Sequence, residues 1–172
     1  MHDPLQLFIG IGGVSQSGKS TLAEKLTAYF NAKKIRSAVL NQDDFVFPKD
    51  QLPLINGLTD WERPETIDWS ALENAVIESR KTNQVIIFEG LFAFNNKKIN
   101  EQMTHFLYLE IVKETFLKRK NKDTRWATPP DWYVEYIWAT HKTQATIPEN
   151  ANKIDSNNTL SMKDLISVLH FD

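Results

Sequence analysis

The octapeptide Gly13-Val14-Ser15-Gln16-Ser17-Gly18-Lys19-Ser20 constrains this chain more than any other stretch. It fits G-x-x-x-x-G-K-[ST], a loop whose backbone N–H groups turn inward on phosphates. The apolar run Leu7–Ile11 precedes it, and Leu22, Leu26 and Phe30 follow it at helical spacing. Strand, glycine loop and helix N-terminus in that order place partial positive charge where an anion would sit. In such a loop the Lys19 ammonium can reach β- and γ-phosphates, and the Ser20 hydroxyl can ligate Mg²⁺. A nucleotide-binding set comprising the octapeptide and Thr21 is therefore expected.

The remaining sequence alternates short apolar runs with amphipathic stretches. Ser37–Leu40, Val85–Phe88 and His105–Ile111 read as strands, with a weaker one at Lys153–Asp155. Helices are predicted from Lys19 to Phe30, after an Asp68 N-cap, over Lys113–Lys122, over Asp131–Lys142, and over Met162–His170 behind a Ser161–Asp164 capping box. This alternation predicts an α/β protein, a three-layer P-loop NTPase fold with a central, mostly parallel sheet and a small helical lid. At 172 residues, without repeats or low-complexity linkers, the chain reads as a single domain. Its lid is expected at about 119–131 and a loop for an acceptor at about 45–68.

In open parallel sheets, ligands sit beyond the carboxyl ends of the strands. The phosphate loop follows the first strand, Asp43-Asp44 the second, and Glu89 the third. Successive residues point apart, so one aspartate of the pair is expected to face the phosphates, and Asp43 is chosen. There it could take a proton from an attacking hydroxyl, whereas a solvated turn pair or helix cap is the bland alternative. Glu89 could hold an Mg²⁺-bound water or orient an acceptor, or simply mark the exit of its strand. The long polar segment Pro48–Ile67 lacks clear regular structure and contains Trp61-Glu62-Arg63-Pro64. An indole can stack on a flat base and a carboxylate can accept two ribose hydroxyls, although Trp61 could equally pack on the surface. Arg119-Lys120-Asn121-Lys122-Asp123-Thr124-Arg125 runs from a helix into a proline-limited loop, as a phosphate-clamping lid would. Arg119 and Arg125 suit phosphate oxygens best, because guanidinium is planar and forked. Trp132, Tyr133, Tyr136 and Trp138 are read as core.

Composition narrows the function classes. A net charge of -2 gives no reason to expect nucleic acid or an anionic membrane as partner. No apolar run approaches the roughly 18 residues that span a bilayer. Met1-His2-Asp3-Pro4 lacks the basic start and apolar core of a signal peptide. The absence of cysteine excludes disulfides and thiolate metal sites and fits the expected cytoplasmic location. The four histidines are too scattered to suggest zinc. Monomer and homo-oligomer both fit.

Taken in order, the phosphate loop, Asn41-Gln42-Asp43-Asp44-Phe45, residues 60–69 (DWERPETIDW), Phe88-Glu89-Gly90-Leu91-Phe92 and the basic run resemble one family. It is the uridine-kinase-like group of P-loop nucleoside kinases, most closely its nicotinamide riboside kinase branch, matched over about residues 8–145. The resemblance implies ATP as donor, Mg²⁺ as cofactor and a small riboside as substrate. It implies that Asp43 meets the acceptor hydroxyl and metal, that Ser20 and Glu89 serve the metal, and that Trp61 lies against the base. Glu62 falls on the ribose diol, and Phe45 and Lys122 on the substrate side. Lys19, Asp43, Glu89 and Arg125 form the expected catalytic group. Glu62 stands where animal-type members of the branch carry Asp, and Asn121 and Lys122 stand where the family carries arginines. A kinase of another small alcohol, such as pantothenate or a sugar, is the alternative within the class. A nucleotide-binding regulatory module without an acceptor is the alternative outside it. Asn121-Lys122-Asp123-Thr124 lacks the spacer of a guanine-recognition motif and the apolar strand that should precede one.

Overall fold

The computed structural model describes residues 7–125, 128–158 and 161–169. Strands β1 (Leu7–Gly13), β2 (Ser37–Asn41), β5 (Val85–Gly90), β6 (His105–Glu110) and β7 (Asn152–Asp155) form one sheet in the order β2-β5-β1-β6-β7. Every pairing in it is parallel. The short hairpin β3 (Leu54–Ile55) and β4 (Leu58–Thr59) stands apart and is antiparallel.

Side-chain alternation along β1 assigns the two faces of the sheet. Leu7, Ile9 and Ile11 face α1 (Lys19–Ala32) and α6 (Met162–Val168), meeting Leu22, Leu26, Phe30 and Leu165 in one buried cluster. Phe8 joins the opposite cluster with Leu72 and Val76 of α2 (Trp69–Arg80), Ile99 of α3 (Lys97–Asn100), Phe94 and Met103. The other positions of that face are Gly10 and Gly12. A Cβ on Gly10 would lie 2.5 Å from Met103 Sδ, and one on Gly12 2.6 Å from the Phe94 ring. Bare backbone is what lets the Phe94 ring approach the central strand this closely.

A third cluster gathers Val14 of the phosphate loop, Phe116 of α4 (Lys113–Asn121), and Tyr133, Val134 and Ile137 of α5 (Asp131–Gln144). It seats the last helices of the site against the loop itself. The predicted caps form: Asp68 Oδ1 accepts from the Ala71 amide at 2.9 Å, and Ser161 Oγ accepts from the Asp164 amide at 3.2 Å.

The segment read as lacking regular structure is built, not loose. The β3–β4 hairpin and 3₁₀ turns at Lys49–Gln51 and Pro64–Thr66 order it, with a further turn at Gln42–Phe45. Such two-residue strands leave no period for a sequence reading to detect. The basic run begins on the last turns of α4 and continues without helix through its described residues to Pro130. Residues 126 and 127 of the expected lid, and His170 of the expected last helix, lie outside the described residues.

Candidate active site

Beyond Gly13 the chain leaves β1 and turns into α1. Gly18, at φ 95°, takes a left-handed conformation that L side chains rarely adopt. Gln16 adopts φ 66° without being glycine, and its side-chain Nε2 donates to Asp123 Oδ2 of the lid segment at 2.7 Å. That bond helps offset a backbone conformation costing on the order of 1 kcal/mol. Lys19 is buried, and its ammonium donates to the Val14 carbonyl at 3.1 Å. Burial pulls its pKa below the usual lysine range, and the nearby carboxylates of Glu89, Asp43 and Glu62 oppose that shift. The Lys19 ammonium thus stands inside the loop, within the electrostatic field of three acids.

Those acids arrive from separate elements. Glu89 is paired in register with Ile11 of β1 and Asn41 of β2, so it sits on the sheet's carboxyl edge between those two strands. The Ser20 hydroxyl donates to Glu89 Oε1 at 2.8 Å, joining the first turn of α1 to β5. Burial raises the Glu89 pKa, against Lys19 and the Ser20 bond, while Asp43 and Asp44 add to the rise. Asp43 is exposed on a 3₁₀ turn, and its own backbone amide donates to the capping Asn41 Oδ1 at 2.9 Å. Among the described residues no cluster of three or more His, Cys, Asp or Glu forms a cage for a metal. Mg²⁺ seldom uses one: it keeps waters and takes one or two protein ligands beside substrate phosphates. The adjoining Ser20 hydroxyl and Glu89 carboxylate fit that donor set.

Glu62 is buried, whereas Trp61 beside it keeps 42% of its surface exposed. Burial pushes the Glu62 carboxyl up to about 7, with Asp60 and Asp43 adding to the rise and Lys120 and Lys19 opposing it. Position 62 therefore shares one electrostatic field with Lys19 and Asp43 although more than 40 residues of chain lie between Lys19 and Glu62.

On the donor side an open, polar cavity of about 860 Å³ is lined by residues Gln16 to Leu22, Arg119, Lys122 and Arg125. Arg119 bridges: Nη1 donates to the Gln16 carbonyl at 2.9 Å and Nη2 to the Ser156 carbonyl at 2.6 Å. Arg125 pairs with Asp123 through two bonds, Nε–Oδ1 at 2.8 Å and Nη2–Oδ2 at 2.9 Å. Lys122, expected beside the acceptor, lines this same cavity, where α4 ends against the phosphate loop. Phe45, also expected there, is half-buried against the cluster of Phe8, Leu72 and Val76, since its 3₁₀ turn lies over α2.

Four contributors escaped the sequence reading. Gln42 is buried, and its Oε1 accepts from the Phe92 amide at 2.8 Å, so the glutamine of the Gln-Asp-Asp motif ties β2 to the chain leaving β5. Asp60, fully buried, and the phenols of Tyr133 and Tyr136 fix the 59–63 stretch, although the tyrosines read simply as core. Charge beside an aromatic motif was the available signal for Asp60. The tyrosines offered none, because apolar spacing does not distinguish a phenol used for packing from one used for its oxygen.

No family model matches the chain. Nicotinamide riboside kinase 1 of Mus musculus is 27% identical over 149 residues, covering 76% of this chain and 73% of its own. Uridine-cytidine kinase B of Dictyostelium discoideum is 23% identical over 145 residues, covering 69% and 58%. Among solved structures, a possible uridine kinase from Bacillus stearothermophilus superimposes with a TM-score of 0.52 at 19% identity, over 86% of this chain and 90% of that one. In sequence the chain is thus similar to nicotinamide riboside and uridine–cytidine kinases, both nucleoside kinases, and in fold to uridine-kinase-like P-loop kinases.

Proposed function

We propose that this chain is an ATP- and Mg²⁺-dependent kinase that transfers the γ-phosphoryl group to the 5′-hydroxyl of a riboside, nicotinamide riboside or a uridine- or cytidine-like nucleoside. The observation that carries this reading is the meeting of a phosphate-loop lysine with acids from three other parts of the chain. Lys19 feels Glu89, Asp43 and Glu62 together, which gives one site a donor side and an acceptor side. A regulatory nucleotide switch would have no use for the buried Glu62 or the open Trp61 beside it.

In the proposed reaction, the acceptor oxygen forms a bond to γ-phosphorus while the bond from γ-phosphorus to the β,γ-bridging oxygen breaks, releasing ADP. The hydroxyl proton passes to Asp43, whose exposure lets it return that proton to solvent. The Lys19 ammonium and the amides of the phosphate loop hold the β- and γ-phosphates in line. Ser20 with Glu89 and Asp43 would hold Mg²⁺, which would supply charge neutralisation on the phosphate oxygens. Arg125 leaves Asp123 for phosphate as the lid segment closes, and Arg119 keeps the loop fixed. Trp61 stacks on the base, and Glu62 accepts the ribose hydroxyls.

Turnover with ATP or GTP across ribosides, their 2′-deoxy counterparts, pantothenate and sugars tests this directly. The expected result is a specificity constant for one riboside well above those for the deoxyribosides and the non-nucleoside alcohols. Preference for a sugar or pantothenate moves the acceptor to the alternative within the class. Nucleotide binding without turnover of any alcohol removes the kinase reading.

A further inference from the structure

We propose that Asp60, with Tyr133 and Tyr136 of α5, is the positioning anchor that holds Trp61 and Glu62 at the acceptor side. Recognition of the acceptor is then set from the helix that follows the lid segment. What the loop binds rests on the riboside reading above; how the loop is held does not.

Asp60 has 0% exposure, in a stretch where Trp61 and the Arg63 side chain stand open. A carboxylate removed from water needs several donors to persist. It has three. Oδ1 accepts from the Glu62 amide at 3.1 Å, and Oδ2 accepts from Arg63 Nε at 2.6 Å and from the Tyr136 hydroxyl at 2.8 Å. Its own amide donates to the Pro53 carbonyl at 2.8 Å, fastening the stretch to the β3–β4 hairpin.

Tyr133 completes the hold from the same helix. Its hydroxyl donates to the Thr59 carbonyl at 3.1 Å and accepts from the Trp61 amide at 3.4 Å. The peptides on both sides of Asp60 are therefore tied to one phenol, and the carboxylate between them to another. The Tyr133 ring belongs to the cluster with Val14, Phe116 and Ile137, and Tyr136 packs against it. Phenylalanine would fill that space equally well. The oxygens are what reach the loop, so packing alone does not account for them. Because α5 begins directly after Pro130, both phenols stand on the first two turns beyond the lid segment.

Tyr136→Phe, Tyr133→Phe and Asp60→Asn are compared with the wild-type protein by two measurements. The first is hydrogen exchange of residues 59–63 in the nucleotide-free protein. The second is steady-state kinetics with riboside and ATP varied in turn. Tyr136→Phe keeps the ring and loses one bond, so it serves where Asp60→Asn fails to fold. Each variant is expected to exchange faster at residues 59–63 and not in β1 or β5. Loss of a phenol bond or of the carboxylate from this network should raise the riboside KM roughly three- to tenfold, leaving the ATP KM and kcat within about twofold. Unchanged exchange with unchanged riboside KM overturns the anchor, as does a riboside KM that rises only in step with the ATP KM. If the wild-type protein turns over no riboside, the riboside reading fails and exchange alone decides: acceleration confined to 59–63 upholds the anchor, and unchanged exchange overturns it.

Discussion

Three side chains divide the proposed chemistry, and each can be removed without emptying the core. Lys19 points its ammonium at a loop carbonyl, not into a hydrophobic cluster. Lys19→Ala should lower kcat by roughly two to three decades, the scale of one electrostatic contact to the reacting charge, while a cooperative melting transition survives. Calorimetry beside kinetics checks both halves. Asp43→Asn should lower kcat by about 10²–10⁴, the range of general-base contributions, and leave ATP affinity nearly unchanged. Near-normal turnover would remove the base role from this residue. Glu62 gives a pH signature. Burial holds its proton up to about 7, so the native state binds that proton more tightly than the unfolded chain does. Between the ordinary carboxylate range and about 7, its contribution to stability falls as pH rises. Acceptor binding runs the other way, because the ionised carboxylate is the better partner for hydroxyls. The riboside KM should therefore fall as pH rises through about 7, with Lys19, Lys120, Asp43 and Asp60 as the charges that set the midpoint. In Glu62→Gln that slope should vanish, together with part of the preference for ribosides over 2′-deoxyribosides.

At the scale of elements, the site depends on three strands ending level. The register that sets Asn41 beside Glu89 and Glu89 beside Ile11 is kept by buried alternating residues on both faces, since a slip of one residue would reverse every side chain. Gln42 locks the same edge from outside the ladder, with its side chain against Gly90 and its oxygen on the Phe92 amide. Replacing it by leucine should leave that buried amide unpaired, at a cost of about 1–3 kcal/mol. Melting should drop by about 2–4 °C per kcal/mol for a chain of this size. Turnover should suffer less than in Asp43→Asn, because the glutamine touches no reactant. A melt unchanged by the substitution would show that water replaces the lost acceptor.

Across the whole molecule, the donor side is gathered by long-range contacts. The phosphate loop is held by Arg119 of α4, by the Ser156 hydroxyl beyond β7, which donates to the Ser17 carbonyl at 2.7 Å, and by Asp123 of the lid segment. A nucleotide seated there stabilises contacts that span most of the chain. Mg²⁺-ATP at about a hundred times its dissociation constant should stabilise the native state by about 2.7 kcal/mol. Thermal-shift titration reads this, and chelating the metal should reduce the shift. The Lys19→Ala variant should show a markedly smaller one. An equal shift in that variant would place nucleotide binding elsewhere.

The parallel sheet, its helices, the phosphate loop and the level ends of three strands were legible in the sequence. Each rests on local period, a cap or a glycine pattern, and such signals occupy a few neighbouring residues. Asp43 and Glu89 could be placed on the correct edge for the same reason: a strand followed by an acid needs no distant information. Tertiary structure alone decided which polar residues serve the frame and which the site. Nothing in Gln-Asp-Asp-Phe tells that Gln42 is turned inward and Phe45 onto α2 while Asp43 faces out. Nothing in an aromatic helix tells that two phenol oxygens reach Asp60 and its neighbouring peptides more than seventy residues away. A buried polar group survives only where its partners arrive, and those partners are brought by folding from parts of the chain that share no local pattern.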